Sequence, residues 1–172
     1  METQDFVSDS AFVSVYRIGL VRDDHVKFDR VPLCGPSEAL RMIQNLILTL
    51  GQPDREQFCV LLLDTKNHPI GVNIVSTGGL SSASVHPREV LKPAILANAA
   101  AMILCHNHPS GATEPSLCDK DITERIIKAA QLLGIMVHEH LIINMDNDQY
   151  YSFAEQGFIQ NIYRQIGTKE AV

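Results

Sequence analysis

The chain has no apolar run long enough to span a bilayer, and its first nine residues contain no basic side chain. A membrane-spanning helix needs roughly 18 or more consecutive apolar residues. A secretory signal needs a basic start followed by an apolar stretch, but this chain begins with Glu2, Asp5 and Asp9 among its first nine residues. We therefore expect a cytoplasmic protein with no membrane partner.

The chain also lacks an excess of basic residues. Its 14 lysines and arginines are outnumbered by 20 aspartates and glutamates, which gives a formal net charge of −6. A general phosphate-binding surface is therefore not expected, although a local basic groove stays open. The cysteines form no Cys-x-x-Cys pair, which favours reduced and mostly buried thiols. They are Cys34, Cys59, Cys105 and Cys118.

The composition that is present fits one globular domain. Apolar residues make up 45% of the 172 positions and charged residues 20%, which is close to the globular average. A chain of this length can bury one hydrophobic core without disulfides. We therefore expect residues 1–50, an N-terminal strand and helix, to belong to the same domain as residues 51–166, which carry the motifs described below.

Hydrophobic spacing and turn residues predict strands mixed with a few helices. The strands are expected over residues 12–20, 58–63, 70–76, 102–105, 135–143 and 150–153. The helices are expected over residues 37–50, 88–101, 117–133 and 154–166. Because residues 58–63 and 70–76 flank a short turn, they predict a β-hairpin. A hairpin favours a mixed sheet flanked by helices over a strictly parallel sheet, and so an α/β fold of the α+β type.

The most informative motif is a pair of histidines followed by an aspartate. His106 and His108 end a predicted strand, and side chains at positions i and i+2 of a strand point to the same face. After a loop, Asp119 can supply a third ligand, so the set suits a catalytic Zn²⁺ that keeps a fourth position for water. A second interpretation also fits: two exposed loop histidines, with Ser116 as a helix N-cap and Asp119 as an acid in its first turn.

A longer pattern surrounds this motif. It reads His106-Asn107-His108-Pro109-Ser110-Gly111, then Glu114-Pro115-Ser116, then Asp119 and Thr123. The pattern resembles the signature of the RadC-like family, which belongs to the JAMM (MPN-plus) metalloprotease superfamily. Flanking segments at 85–90, 98–101 and 133–135 agree, and the resemblance runs from about residue 56 to 158. It implies that residues 51–166 form a RadC-like JAMM/MPN metal-binding domain.

The resemblance implies a curved mixed β-sheet flanked by helices in a single domain, with one zinc ion per chain. His106, His108 and Asp119 match the zinc ligands of the family. Ser116 matches the serine that helps to stabilise the oxyanion of a tetrahedral intermediate. Glu56 best matches the distant glutamate that acts as general base and passes the proton to the leaving amine. Iron or manganese would also suit two histidines and a carboxylate.

Two other glutamates compete with Glu56 for the role of general base. Glu89 is also interpreted as a first-turn acid of the helix that begins near residue 88. Glu139 lies between His138 and His140 on a predicted strand, so it should face away from both. This second His-x-His pair is expected to be structural or to support the first pair, rather than to bind a second metal ion.

Three functions remain open. The first is a zinc-dependent, metallopeptidase-like hydrolase that cleaves an amide or isopeptide bond of a peptide or protein with a metal-activated water. The second, implied by the resemblance, is an accessory protein of DNA repair with a structural or nuclease metal site. The third is a scaffold whose site only braces the fold. Residues 1–55 show no helix–hairpin–helix pair of the kind that longer RadC-like proteins often carry, and the acidic balance also argues against DNA as a partner. No oligomeric state follows from the sequence.

Overall fold

The computed structural model describes residues 19–21, 32–33, 35–78 and 85–169. The helices within these ranges are α1 (Pro36–Leu50), α2 (Pro87–Leu96), α3 (Leu117–Leu132) and α4 (Phe158–Lys169). The strands are β1 (Gln57–Leu63), β2 (Pro69–Thr77), β3 (Ala101–Asn107), β4 (Met136–Ile143) and β5 (Tyr150–Ser152). The strand predicted over residues 12–20 lies outside the described residues except for its last two positions, which belong to no strand.

All five strands form one mixed sheet in the order β2-β1-β3-β4-β5. β1 runs antiparallel to β2 and β3, β3 runs parallel to β4, and β5 runs antiparallel to β4. Two of its three interior strands, β1 and β3, are buried along their whole length, as expected of apolar strands covered on both faces. The predicted α+β class, the hairpin and the mixed sheet are confirmed.

Helices cover both faces of the sheet and enclose two apolar cores. One core joins the sheet to α2, α3 and α4 and contains Phe58, Leu104 and Ile126. The other joins the opposite face to α1 and contains Ile43 and Leu61. Each fully buried side chain of this size contributes about 1.5–3 kcal/mol relative to an exposed one. The two cores together fix the central strands that carry the site.

Two helix boundaries differ from the prediction by four or more residues. α2 ends at Leu96 rather than at residue 101, because Asn98 takes a left-handed φ of 52° that a helix cannot continue. α4 begins at Phe158 rather than at residue 154, after Gly157 at a φ of 73°. None of the described helices is both long and apolar enough to cross a membrane.

A β-bulge in β4 separates the second pair of histidines. Met102 pairs with Val137 and Ile103 pairs with Glu139, so His138 is an extra residue in β4. The bulge places His138 beside Glu139 in the lining of a shallow pocket, where its Nε2 lies 3.0 Å from Oδ1 of Asn67. The prediction that Glu139 faces away from both histidines is therefore wrong for His138, because the bulge breaks the alternation of side chains.

Candidate metal centre

The two histidines of the first pair lie at the end of β3, and Asp119 lies in the first turn of α3. Their ligand atoms converge. Nε2 of His106 lies 3.2 Å from Nε2 of His108 and 3.3 Å from Oδ1 of Asp119. Nε2 of His108 lies 3.9 Å from Oδ2 of Asp119. The structure therefore brings together the three side chains that the sequence predicts as metal ligands.

His106 is fully buried, in an environment that keeps its ring neutral. The ring stacks on Phe58 with 5.9 Å between centroids. Burial lowers the pKa of His106 to about 3, although the nearby Asp119 carboxylate acts in the opposite direction. A neutral imidazole is the form that binds a metal ion. The interpretation of His106 as an exposed loop histidine is wrong.

His108 is oriented by the loop that follows it. Its Nδ1 lies 2.8 Å from the carbonyl oxygen of Ala112, and a carbonyl can only accept, so Nδ1 carries the proton. In the tautomer with its proton on Nδ1, Nε2 presents a lone pair to the site. The loop turns back at Gly111, which has a φ of 75° and donates from its N–H to the carbonyl of His108 at 2.9 Å.

Asp119 is held by a capping box at the start of α3. The N–H and the hydroxyl of Ser116 both donate to Oδ2 of Asp119 at 2.7 Å, and the N–H of Asp119 donates to Ser116 Oγ at 3.2 Å. Both hydrogen bonds from Ser116 go to Oδ2 of the Asp119 carboxylate, whereas Oδ1 faces His106. Ser116 is therefore the N-cap that the sequence predicts, and the cap orients the carboxylate toward the histidines.

Glu56 completes the cluster from the residue before β1. Its Oε1 lies 3.8 Å from Nε2 of His108. Glu56, His106 and His108 each offer a ligand atom within 4.8 Å of the other two, a grouping that could hold a metal ion. The Glu56 side chain is 18% exposed, whereas that of Asp119 is 2% exposed. The carboxylate of Glu56 therefore lies on the solvent side of the site and that of Asp119 on the buried side.

The donor set fits a tetrahedral zinc ion. With zinc–nitrogen distances of 2.0–2.1 Å, two ligand atoms of a tetrahedral site lie about 3.3 Å apart. The separations of His106 Nε2 from His108 Nε2 and from Asp119 Oδ1, 3.2 and 3.3 Å, match that edge. The carboxylates of Glu56 and Asp119 lie at similar distances from Nε2 of His108, 3.8 and 3.9 Å. Asp119 is distinguished by its contact with His106 at the tetrahedral edge, so His106, His108 and Asp119 fit the ion, with Glu56 beside them.

The rival glutamates lie elsewhere. Glu89 is half-buried in the first turn of α2, where it pairs with Lys92 at 2.6 Å and Arg88 at 3.4 Å. Glu139 is buried and accepts from the Ser152 hydroxyl at 2.6 Å. Neither belongs to the grouping of Glu56, His106 and His108 that could hold a metal ion among the described residues. Of the three glutamates considered from the sequence, Glu56 is the one that the structure brings to the histidines.

The cysteines near the site take no part in it. Cys59 on β1 and Cys105 on β3 are free cysteines that lie opposite each other in the sheet, in the core that faces α1. This core is on the opposite side of β3 from the His106 side chain. Burial raises the pKa of both thiols, that of Cys59 to about 12, so both stay protonated. Cys118 is exposed. Two of the three described cysteines are therefore buried thiols, as the sequence predicts.

Sequence reasoning gave no role to two residues that support the site. Asn107, between the histidines, is fully buried and bonds the chain on both sides of Glu56. Thr123 lies one helical turn after Asp119 and contacts His140. Strand alternation indicates that Asn107 faces away from its neighbours, and a spacing of four residues places Thr123 below Asp119 on α3. These two patterns are the signals that could have found them.

Comparison with known proteins identifies the family. A family model described as the RadC-like JAB domain matches residues 34–158. The chain belongs to this family. The resemblance predicted from the sequence is confirmed, and it places this RadC-like chain in the JAB/MPN superfamily, which includes metalloproteases.

The chain is similar to bacterial proteins of the UPF0758 group. The chain is 43% identical over 130 residues to a UPF0758 protein of Rubrobacter xylanophilus. The matched segment covers 76% of this RadC-like chain and 55% of the relative. It is 48% and 47% identical over 114 residues to the UPF0758 proteins YfjY and YkfG of Escherichia coli, covering 66% of this chain and 70% and 71% of theirs. The matched segment thus spans about half the length of the Rubrobacter relative and most of the other two.

Proposed function

We propose that this RadC-like chain is a zinc-dependent, metallopeptidase-like hydrolase that cleaves an amide or isopeptide bond. The observation that supports the proposal is that His106 Nε2 lies near a tetrahedral edge length from both His108 Nε2 and Asp119 Oδ1. Two neutral imidazoles and one carboxylate form a ligand set of catalytic zinc sites. The substrate implied is a peptide or protein, and the compartment implied is the cytoplasm.

Glu56 is the proposed general base. A bound zinc ion would make water nucleophilic at neutral pH and would polarise the carbonyl that is attacked. Glu56 lies on the solvent side of the ligands, where its carboxylate can take a proton from the attacking water and return it to the leaving nitrogen. The carboxylate of Asp119 is less suited to this task, because Ser116 holds its Oδ2 with two hydrogen bonds.

Ser116 is proposed to act first on Asp119 and then on the substrate. Its hydroxyl proton is directed at Asp119 Oδ2. To stabilise an oxyanion, the hydroxyl would turn that proton away from Asp119. The carboxylate would keep the hydrogen bond from the Ser116 N–H, so its orientation would survive the exchange. This makes the predicted oxyanion role compatible with the capping box.

The test compares Glu56→Gln with Glu89→Gln as a matched control that lies outside the site. Each zinc-loaded protein is incubated with a mixture of linear and isopeptide-linked peptides, and new amino termini and released amines are counted by mass spectrometry. We expect the wild type and Glu89→Gln to cleave the mixture, and Glu56→Gln to keep its zinc while its rate falls by about 10²–10⁴-fold. Equal cleavage by Glu56→Gln would remove Glu56 as the base, and no cleavage by the zinc-loaded wild type would contradict the hydrolase.

A further inference from the structure

His106 belongs to a chain of hydrogen bonds that returns to the backbone of another proposed ligand. Nδ1 of His106 lies 2.9 Å from Nε2 of His140, and Nδ1 of His140 lies 2.6 Å from Oγ1 of Thr123. The Thr123 hydroxyl donates to the carbonyl oxygen of Asp119. All four residues are buried, so the chain is shielded from solvent along its length.

The direction of this hydrogen-bond chain is set at its Thr123 end. A hydroxyl has one proton, and the carbonyl of Asp119 can only accept. Because the Thr123 hydroxyl donates its only proton to that carbonyl, Thr123 Oγ1 accepts a hydrogen bond from the Nδ1–H of His140. A neutral imidazole has one donor and one acceptor, so Nε2 of His140 accepts from the Nδ1–H of His106. Nε2 of His106, the atom that faces the site, is then left without a proton.

The reverse direction would have the opposite effect on the site. If Thr123 donated to His140, then His140 would donate from Nε2 to Nδ1 of His106. The proton of His106 would then lie on its Nε2, where a metal ion has to bind. The bond from Thr123 to the Asp119 carbonyl distinguishes the two directions.

Aromatic neighbours hold the imidazole ring of His140 in place within the chain of hydrogen bonds. His140 stacks on Phe153 with 4.8 Å between centroids and 9° between planes, and it packs against Phe58 in a T-shaped arrangement with 5.4 Å between centroids. His140 is fully buried and has one hydrogen-bond contact at each ring nitrogen. A neutral ring that cannot reorient has a single donor and a single acceptor in fixed places.

We propose that His140 and Thr123 are positioning residues that hold the Nε2 lone pair of His106 toward the metal site before a metal ion arrives. This inference rests on the proposed metal centre and adds the residues that prepare it. A preset tautomer means that no proton has to move on the ring when the metal binds. Residues that support a metal ligand in this way typically change metal affinity by about 10–100-fold when they are replaced.

The direct test is the tautomer of each histidine in the wild-type, zinc-free chain. Long-range proton–nitrogen NMR of isotope-labelled histidine distinguishes a protonated Nδ1 from a protonated Nε2. We expect His106 and His140 both to carry the proton on Nδ1. A proton on Nε2 of His106, or an even mixture of the two forms, would overturn the proposal. This measurement needs no variant, so it does not depend on how a substitution affects folding.

The second test removes the hydroxyl that sets the direction. Thr123→Val keeps the branched shape without the donor, and Thr123→Ser keeps the hydroxyl as the matched control. We expect zinc affinity, measured by competition with a chelating dye, to fall by about 10–100-fold in Thr123→Val and to stay at the wild-type value in Thr123→Ser. Wild-type affinity in Thr123→Val would contradict the proposal. If the metal centre itself were wrong, the wild type would bind no zinc. The tautomer of His106 would still show the direction of the hydrogen bonds from His106 to Thr123.

Discussion

The side-chain amide of Asn107 bonds the backbone on both sides of Glu56. Its Oδ1 accepts from the N–H of Gln57 at 3.0 Å, and its Nδ2 donates to the carbonyl of Arg55 at 2.9 Å. The residue between the two histidines thus ties the segment that carries the proposed base to the strand that carries the proposed ligands. The carbonyl of Glu56 is itself fixed by the N–H of Gly78 at 2.8 Å.

Replacing Asn107 by alanine should loosen that segment and lower stability. The change removes the hydrogen bonds to the Gln57 N–H and to the carbonyl of the exposed Arg55. Gln57 is buried, and a buried N–H without a partner costs about 1–3 kcal/mol. Urea unfolding of the zinc-free chain measures the loss. Asn73→Ala, on an exposed position of β2, is the control and should change stability little. A stability of Asn107→Ala equal to that of the control would show that the amide does not hold the segment.

Gly111→Ala should weaken zinc binding through the loop that orients His108. An alanine at a φ of 75° costs about 1–2 kcal/mol, and its Cβ would lie 3.0 Å from Nδ2 of Asn144, the group that donates to the Gly111 carbonyl at 2.8 Å. We expect lower stability and lower zinc affinity, measured by unfolding and by chelator competition.

Gly134→Ala separates backbone strain from the effect on the site. Gly134 has a similar φ of 69°, but its Cβ would meet nothing within 4 Å, and it lies at the end of α3 away from the histidines. It should lose stability to a similar extent and keep its zinc affinity. Equal loss of zinc affinity in both variants would mean that Gly111 has no specific role at His108.

Glu139→Gln should change how stability depends on pH. Burial raises the pKa of Glu139 above its ordinary value of 4.5, although the hydrogen bond from Ser152 opposes the shift. The folded chain therefore holds this proton more tightly than the unfolded chain, so the contribution of Glu139 to stability is greatest below pH 4.5 and is lost as the pH rises through the folded-state pKa. Urea unfolding from pH 4 to 7 should show Glu139→Gln gaining stability relative to the wild type as the pH rises. A constant difference over that range would contradict the shift.

Much of the fold could be predicted because apolar strands, turns and helix ends leave short local patterns in the sequence. The apolar strands and the turn between residues 63 and 70 predict the hairpin, and Gly134 marks the end of α3. The bulge at His138 could not be predicted, because it depends on how β4 pairs with β3. The early end of α2 depends on a left-handed Asn98, which the helical pattern around it does not reveal.

The sequence predicts the proposed metal ligands of the candidate site but not the hydrogen bonds that hold them in place. Strand alternation and the family resemblance together indicate His106, His108 and Asp119, which the structure brings together. The contact between His106 and His140 joins two strands 34 positions apart in sequence, so no local pattern fixes its direction. The same holds for the bonds from Asn107 to residues 55 and 57, which lie about fifty positions earlier.

Zinc content per chain is the measurement that tests the central claim most directly. The wild type, His108→Ala and His138→Ala are loaded with excess zinc, dialysed and assayed for metal. His138 is the matched control, because it lies in the bulge of β4 and contacts Asn67 rather than the site. We predict about one zinc ion per chain in the wild type and in His138→Ala, and little in His108→Ala. Equal zinc in the wild type and His108→Ala, or none in the wild type, would contradict a metal centre at His106, His108 and Asp119.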